Sequence, residues 1–201
     1  IVVVVGVAAV MFVQQRSLER SAQTRLAQVQ QTVASGNAQL AIRDLQSYLE
    51  RFGSTEAADQ ARLILADLLV AEERPQEAIE ALGQLPEQLD QPFGLAAARL
   101  EAAAFERLER YDDAIQAYRR LGTNARFPYQ RREAFADAAR LELQRGQPDQ
   151  AIGLFEQVLA TFDSDEAGRG YYEMWLAEAR ARARTGRGNT VSTAAPDSAA
   201  G

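Results

Sequence analysis

The chain has 201 residues, 47% of them hydrophobic, so it is long enough for one domain or one array of repeats with a buried core. Its formal net charge of −6 argues against nucleic acid as a partner, because binding to phosphates depends on clustered cations. All 22 basic residues are arginines, and without lysine, histidine or cysteine the chain has no Schiff-base lysine, Cys/His catalytic pair or His/Cys metal site.

The chain begins with a strongly apolar segment, residues 1–13, whose sequence is IVVVVGVAAVMFV. A helix that spans a membrane needs about 20 apolar residues, so this segment is too short as it stands. Because the chain starts with isoleucine rather than methionine, we interpret residues 1–16 as the C-terminal part of a truncated N-terminal transmembrane helix. The alternatives are the core of a signal peptide, or a buried helix or strand of the fold.

Helical spacing of apolar residues continues from this segment to the first helix breakers, Ser35 and Gly36. Residues 1–35 are therefore predicted to form one continuous helix, about 50 Å long at about 1.5 Å per residue. Its C-terminal half would be the first helix of the repeat domain, and this would place that domain at the membrane surface. Three following arginines mildly favour a cytoplasmic location, but the orientation stays open without the upstream flank. The periodic apolar residues are Leu18, Ala22, Leu26, Val29 and Val33, and the arginines are Arg16, Arg20 and Arg25.

The rest of the chain is organised by an Ala-Ile dipeptide that recurs at intervals of 37, 36 and 37 residues. In each copy a turn and a polar pair precede the dipeptide, and apolar residues follow four and seven places after the alanine. A period of this length with helical spacing inside each unit predicts a solenoid of helical hairpins, each with a helix A and a helix B. The four copies read GNAQLAIRDLQSYL, ERPQEAIEALGQL, ERYDDAIQAYRRL and GQPDQAIGLFEQVL.

Turn and proline signals divide these repeats into individual helices. Gly53 suits the left-handed residue that follows a helix, and Pro75 and Pro148 suit the first turn of a B helix. Two connectors, residues 84–94 and 122–130, are predicted to be loops. The predicted helices cover residues 38–51, 56–72, 95–108, 112–121, 131–145 and 148–161, with a further B helix that starts at residue 75.

The last predicted helix covers residues 167–184 and carries a group of large aromatic residues. It matches the A helix of a fifth unit without a B helix, as is common at the end of a solenoid. Residues 185–201 have almost no large apolar side chains and are predicted to form a flexible, low-complexity tail. Arginines near the end of the helix suit its negative pole, although an anionic lipid or an acidic partner is an alternative. They are Arg180, Arg182, Arg184 and Arg187.

These motifs resemble tetratricopeptide repeats over about residues 22–184. Such repeats place a small residue in helix B, a large apolar residue four positions later and an apolar or small residue three beyond. The resemblance implies an all-α, right-handed solenoid of about four helical hairpins plus a capping helix. The chain departs from the family in its longer period, in alanine for glycine in helix A and in the missing closing proline. The matching positions are Ala41/Leu45/Tyr48, Ala78/Leu82/Leu85, Ala114/Tyr118/Leu121 and Ala151/Phe155/Val158, with Ala66, Ala102 and Ala139 in helix A.

A single anchor followed by such repeats resembles bacterial envelope proteins, including the family of the ancillary subunit of the Sec translocon. This narrower resemblance implies a single-pass protein of the bacterial inner membrane with periplasmic repeats and with other membrane or envelope proteins as partners. It implies a non-catalytic scaffold that stabilises or assembles a multi-subunit inner-membrane complex. A periplasmic chaperone-like or translocon accessory is the alternative, and a carboxylate-based hydrolase is a remote one. The domains would be an anchor (1–16), a repeat domain (17–184) and a tail (185–201).

In such a solenoid the A helices line the concave face, where extended peptides or partner helices bind. By the repeat frame, Arg99, Arg107 and Arg140 point toward that face, together with Asp67 and Glu106. Arginine can hold a carboxylate with two hydrogen bonds, so the three arginines are candidates for binding an acidic or C-terminal peptide. The alternative is that they are solvated, or paired with glutamates of adjacent helices with little effect on stability.

Aromatic residues supply further candidates for contact with a partner. Phe93, Phe127 and Tyr129 fall on the two predicted loops, where they have less core to fill. Trp175 either anchors a partner or packs the last helix onto the array. The acidic run at residues 163–166 lacks the spacing of a calcium loop and is predicted to cap the last helix. We expect no catalytic, cofactor-binding or metal-binding residue, no nucleic-acid partner and no small-molecule substrate.

Overall fold

The computed structural model describes residues 2–85, 93–163 and 166–192, and within these ranges every regular element is an α-helix. The chain divides into two compact units, residues 1–110 and residues 111–201. The prediction of an all-α fold of successive helices is thus confirmed for the described residues. Most of the loop predicted at residues 84–94 lies outside them.

Five helices form the first unit, and each packs against the next along the chain. The third helix also contacts the first and the fifth, as expected when the A helices of successive hairpins stack. Ile42, Leu45 and Leu69 are among the fully buried side chains, and each such burial stabilises the fold by about 1.5–3 kcal/mol. The helices are α1 (Val2–Ala34), α2 (Ala38–Phe52), α3 (Glu56–Ala71), α4 (Pro75–Leu82) and α5 (Gly94–Arg107).

Four helices form the second unit, again with each packed on the next. Leu141, Leu154 and Val158 lie at the centre of this packing and are fully buried. The last helix buries Leu176 and Ala179 and packs on the helix before it, as predicted for a capping helix. The helices are α6 (Tyr111–Asn124), α7 (Pro128–Gln144), α8 (Pro148–Leu159) and α9 (Arg169–Ser192).

Helix α1 confirms that residues 1–35 form essentially one continuous helix. Among the residues that the structure describes, however, no helix is both long and apolar enough to cross a membrane. The predicted transmembrane segment at residues 1–16 is therefore not supported. The physical reason is that the apolar run ends at Val13 and is followed by Gln14, Gln15 and Arg16, well short of about 20 apolar residues.

The turns between A and B helices share one backbone feature, a residue with positive φ. This residue is Gly36 (φ 77°), Glu73 (56°), Glu109 (57°) or Gly146 (72°). The positions recur at the same interval as the Ala-Ile dipeptide, so the repeat frame predicted from the sequence is confirmed in the backbone. In the second hairpin the turn is closed by the Arg74 N–H, which donates to the Leu69 carbonyl at 2.8 Å.

Gly53 does not adopt the predicted left-handed conformation, because its φ of −60° and ψ of −12° lie in the right-handed helical region. Glycine fits there for a different reason: a Cβ would lie 2.6 Å from the Leu49 carbonyl oxygen. The buried Arg62 guanidinium donates to the Gly53 carbonyl at 2.7 Å and pairs with Asp59 at 3.0 Å. A side chain of α3 thus satisfies the end of α2.

The alanines of the four Ala-Ile dipeptides have no exposed surface. Ala41, Ala78, Ala114 and Ala151 are each 0% exposed, one in each of the four B helices. A larger side chain has no room at these positions without movement of the neighbouring helices. This observation explains why the smallest chiral side chain recurs there.

Several predicted helix ends differ from the structure. The loop predicted at residues 122–130 is reduced to residues 125–127, because α6 continues to Asn124 and α7 begins at Pro128. Gly122 does not end α6, since it lies against the ring of Phe135 and is part of the buried helix contact. Helix α9 continues to Ser192, beyond Thr185, where the sequence predicts the start of a tail.

Candidate functional site

A groove lies between α1 and α3 in the first unit and contains a pocket of about 360 Å³. The residues of α1 that line it recur every three or four positions, so they share one face of that helix. The walls combine short apolar side chains with amides and carboxylates. The lining residues are Glu19, Gln23, Leu26, Ala27 and Gln30 from α1, Glu56, Ala57 and Gln60 from α3, and Phe93.

Three glutamines define the chemistry of this groove. Gln23 and Gln30 lie two helical turns apart on α1, and Gln60 lies on α3. A glutamine amide both donates and accepts hydrogen bonds, so it matches the N–H and C=O groups of a peptide backbone. These three glutamines were not predicted from the sequence. The sequence did contain an indication of a shared position in the repeat, because Gln23 and Gln60 are separated by the same interval as the Ala-Ile dipeptides.

Phe93 lines the groove and has an unusual backbone conformation. It precedes α5 with a φ of 71°, in the left-handed region that non-glycine residues rarely adopt. Its side chain remains 39% exposed although it lines the pocket. Such strain persists where surrounding structure enforces it, often at binding surfaces. Phe93, predicted from the sequence as a contact candidate, therefore lies in a groove suited to contact.

Glu19 lines the same pocket but its carboxylate is already engaged. Its two oxygens accept hydrogen bonds from the backbone N–H groups of Glu56 and Ala57, each at 3.2 Å. Thr55 occupies the usual capping position of α3, but its hydroxyl donates to the Phe52 carbonyl at 2.7 Å instead. Glu19 thus replaces the local cap and joins α1 to the positive end of α3.

The predicted arginines of the first unit lie on α5, outside this pocket. Arg99 and Arg107 are both exposed. Arg107 forms an ion pair with Glu73, the left-handed residue of the second turn. It therefore links α5 to the preceding hairpin, which is the structural alternative weighed for it in the sequence. Asp67 is exposed on α3 and Glu106 is half-buried on α5.

In the second unit the predicted residues fall into three places rather than one site. Arg140 is exposed on α7, with its guanidinium 3.9 Å from Asp137. Phe127 and Tyr129 stack with ring centres 5.9 Å apart and are 48% and 52% exposed. Because α7 begins at Pro128, this pair belongs to a helix start rather than to a loop. Trp175 is half-buried on α9.

The aromatic group of α9 is divided between packing and solvent. Tyr172 lies against Phe162, with ring centres 5.6 Å apart, and burial raises its pKa above the ordinary value for tyrosine. Tyr171 is exposed, and its ring contacts the Trp175 ring edge-on, with ring centres 6.3 Å apart. The Arg132 guanidinium lies over the Phe162 ring, with its central carbon 4.1 Å from the ring centre. The inner half of the group therefore holds α9 in place, and the outer half is open to contact.

Two electrostatic predictions for α9 are corrected by its bounds. Glu166 does not cap the helix, which begins at Arg169; its carboxylate instead pairs with Arg132 at 2.7 Å and accepts the Asp163 N–H at 3.3 Å. The arginines near residue 184 do not lie at the end of the helix, which continues to Ser192. Arg180 pairs with Glu156 of α8 at 2.9 Å instead.

Comparison with known proteins identifies the repeat. The model of the family described as tetratricopeptide repeat matches residues 26–90 and 136–188, which together make up more than half of the chain. No curated protein matches the chain at a significant level. Solved structures match it over most of its length.

Three of these structures have low sequence identity and therefore show the fold alone. The first is a structure from Podosopora anserina, described as kinesin light chain nearly identical TPR-like repeats. Its sequence is 20% identical to this chain, with a TM-score of 0.61, and the match covers 81% of this chain and 87% of that one. The MamA protein is 18% identical, with a TM-score of 0.58 and coverage of 90% and 97%. Pseudomonas aeruginosa pilF is 18% identical, with a TM-score of 0.57 and coverage of 84% and 72%.

Proposed function

The chain belongs to the tetratricopeptide repeat family, and we propose that it is a non-catalytic scaffold whose α1/α3 groove binds an extended segment of a partner protein. The observation that carries this proposal is the groove itself, which is lined by three glutamines and by the strained Phe93. The glutamines would pair with the peptide backbone. Leu26 and the Phe93 ring would receive one apolar side chain of the partner.

The setting that we propose for this scaffold is the bacterial inner membrane, with the repeats on the periplasmic side. The support is the apolar start of α1, where Met11, Phe12 and Val13 are between 54% and 65% exposed. Large apolar side chains exposed next to one another commonly mark contact with a membrane or a partner. There the scaffold would stabilise or assemble a multi-subunit complex.

The groove is tested by one substitution with a matched control. Ala27 is exposed on the groove wall, so Ala27→Arg should block the groove without disturbing the core. Gln46 is exposed on α2 and does not line the groove, so Gln46→Arg introduces the same side chain elsewhere. The tagged full-length chain and both variants are extracted from the native membrane in mild detergent. Co-purifying proteins are then quantified by mass spectrometry.

We expect a partner recovered in fixed ratio with the parent chain to be lost with Ala27→Arg and retained with Gln46→Arg. Retention of every partner by both variants would refute the groove as the binding surface. Recovery of many envelope proteins at low occupancy, all reduced by Ala27→Arg, would instead favour a chaperone-like or translocon accessory role over a permanent subunit.

A further inference from the structure

A second pocket, of about 400 Å³, lies between α1 and α2, apart from the α1/α3 groove. Its floor is formed by the rings of Tyr48 and Phe52, which are buried with centres 5.1 Å apart. Polar and basic side chains from both helices form the remaining walls. The lining residues are Ser21 and Arg25 from α1, and Ser47, Tyr48, Arg51 and Phe52 from α2. We call this the arginine pocket.

The two arginines of this pocket lack the carboxylate partners that are common elsewhere in the protein. Within the described part of the chain neither Arg25 nor Arg51 forms an ion pair. Arg25 donates to the neutral Gln28 side chain at 2.8 Å, and the Arg51 guanidinium lies 5.3 Å from the centre of the Phe52 ring. By contrast, Arg62 lies 3.0 Å from a carboxylate oxygen.

The surrounding hairpin is positively charged although the protein as a whole is negative. Residues 1–53 contain five arginines and three carboxylates, whereas the net charge of the full chain is −6. One of those carboxylates, Glu19, is already bound to the start of α3. No acidic residue lines the arginine pocket. Its local electrostatics therefore favour an anion.

The shape of the pocket indicates an anionic oxygen group attached to an apolar body. Two guanidinium groups can each donate two hydrogen bonds to phosphate oxygens. The Ser47 hydroxyl has no hydrogen-bond partner among the described residues and adds one more donor, whereas Ser21 already donates to the Ser17 carbonyl at 2.9 Å. The aromatic floor would exclude a fully hydrated anion and would contact the apolar part of the ligand.

The face of α1 that carries Arg25 supplies a path for such an apolar body. Met11, Leu18 and Arg25 are spaced by seven residues and so lie along one side of the helix. Met11 is 65% exposed and Leu18 is also exposed. Gln14, Gln15 and Ser21 share that side, so the face combines two exposed apolar side chains with polar ones next to the basic pocket. Such a mixed face is compatible with the apolar and the polar parts of a phospholipid.

We propose that the arginine pocket binds the phosphate headgroup of an anionic phospholipid, with the acyl chains directed along α1 past Leu18 toward Met11. The headgroup would lie between Arg25 and Arg51, and the glycerol region would contact the Phe52 ring. This inference rests on the membrane setting proposed above and does not depend on the α1/α3 groove. The pocket then fixes how the first hairpin meets the membrane surface.

The test measures binding of the full chain to vesicles of phosphatidylcholine, with and without phosphatidylglycerol. The double variant Arg25→Gln/Arg51→Gln removes both cations, and Ser47→Phe fills the pocket without changing its charge. The control Arg43→Gln/Arg126→Gln makes the same change in net charge outside the arginine pocket, at two exposed arginines. Inorganic phosphate, added at constant ionic strength, tests whether the anion alone is bound. Thermal unfolding confirms that each variant is folded.

We expect the parent to prefer vesicles with phosphatidylglycerol, and the double variant to bind them about thirtyfold more weakly, from about 1 kcal/mol for each arginine. Ser47→Phe should weaken binding similarly, while the control stays within about twofold of the parent. Equal losses for the control and the double variant would overturn the pocket and leave only general charge attraction. Parent binding that is equal on both vesicle types, or inorganic phosphate bound as tightly as vesicles, would overturn the lipid assignment. Either result would leave the groove proposal intact.

Discussion

Gly122 illustrates how much can depend on one missing carbon atom. A Cβ at this position would lie 2.6 to 2.8 Å from the ring carbons of Phe135. Contacts that short force the ring or its helix to move. Gly153, on α8 of the same unit, is its opposite, because a Cβ there would meet nothing within 4 Å.

These two glycines make a matched pair for a prediction about stability. Gly122→Ala should destabilise the protein by about 1–3 kcal/mol, because the added methyl group overpacks the contact with Phe135. Gly153→Ala should stabilise it by about 0.5–1 kcal/mol, because alanine is the better residue in an unobstructed helix. Urea unfolding followed by circular dichroism measures both changes. If Gly122→Ala were as stable as Gly153→Ala, the close contact would be wrong.

The left-handed turn residues lead to a second prediction at this scale. Glu109 has a φ of 57°, a conformation that glycine adopts without strain and that Gly146 supplies in the fourth hairpin. Glu109→Gly should therefore stabilise the protein by about 0.5–1 kcal/mol. The same replacement at Gln116, which is exposed within α6, should instead destabilise it by about 1 kcal/mol. A higher urea midpoint for Glu109→Gly and a lower one for Gln116→Gly would confirm the left-handed turn. A lower midpoint for both variants would contradict it.

At the scale of the helix, the four buried alanines set how closely the B helices pack. Because each side chain is 0% exposed, its methyl group already fills the space available. The pattern of a small residue followed by larger ones therefore describes a contact surface, repeated once in each hairpin. This surface is the element of the fold that the sequence displays most clearly.

We predict that Ala114→Leu and Ala151→Leu each destabilise the protein by about 1–3 kcal/mol, because a larger side chain overpacks these contacts. Ala177→Leu, at an exposed position of α9, serves as the control and should change stability by less than about 0.5 kcal/mol. Thermal unfolding of the three variants measures the difference. Parent-like melting of both buried variants would contradict the repeat frame.

At the scale of the molecule, the repeats were predictable and the groove was not. Helical spacing around the Ala-Ile dipeptide predicted both helices of each hairpin, since buried positions recur with the period of the helix. The three glutamines escaped notice because polar residues on an exposed helix face resemble ordinary solvated ones. Glu19 was also missed as a cap, because its partners at Glu56 and Ala57 become neighbours only after the chain has folded.

Within each of the two units every helix packs on the one that follows it, and this arrangement has a consequence for how the chain folds. Contacts between successive helices join residues that are close in sequence, so their formation closes only short loops of chain. Helical proteins with such a low contact order fold in about microseconds to milliseconds. In a repeat array of this kind, nucleation can begin at any hairpin and propagate to its neighbours.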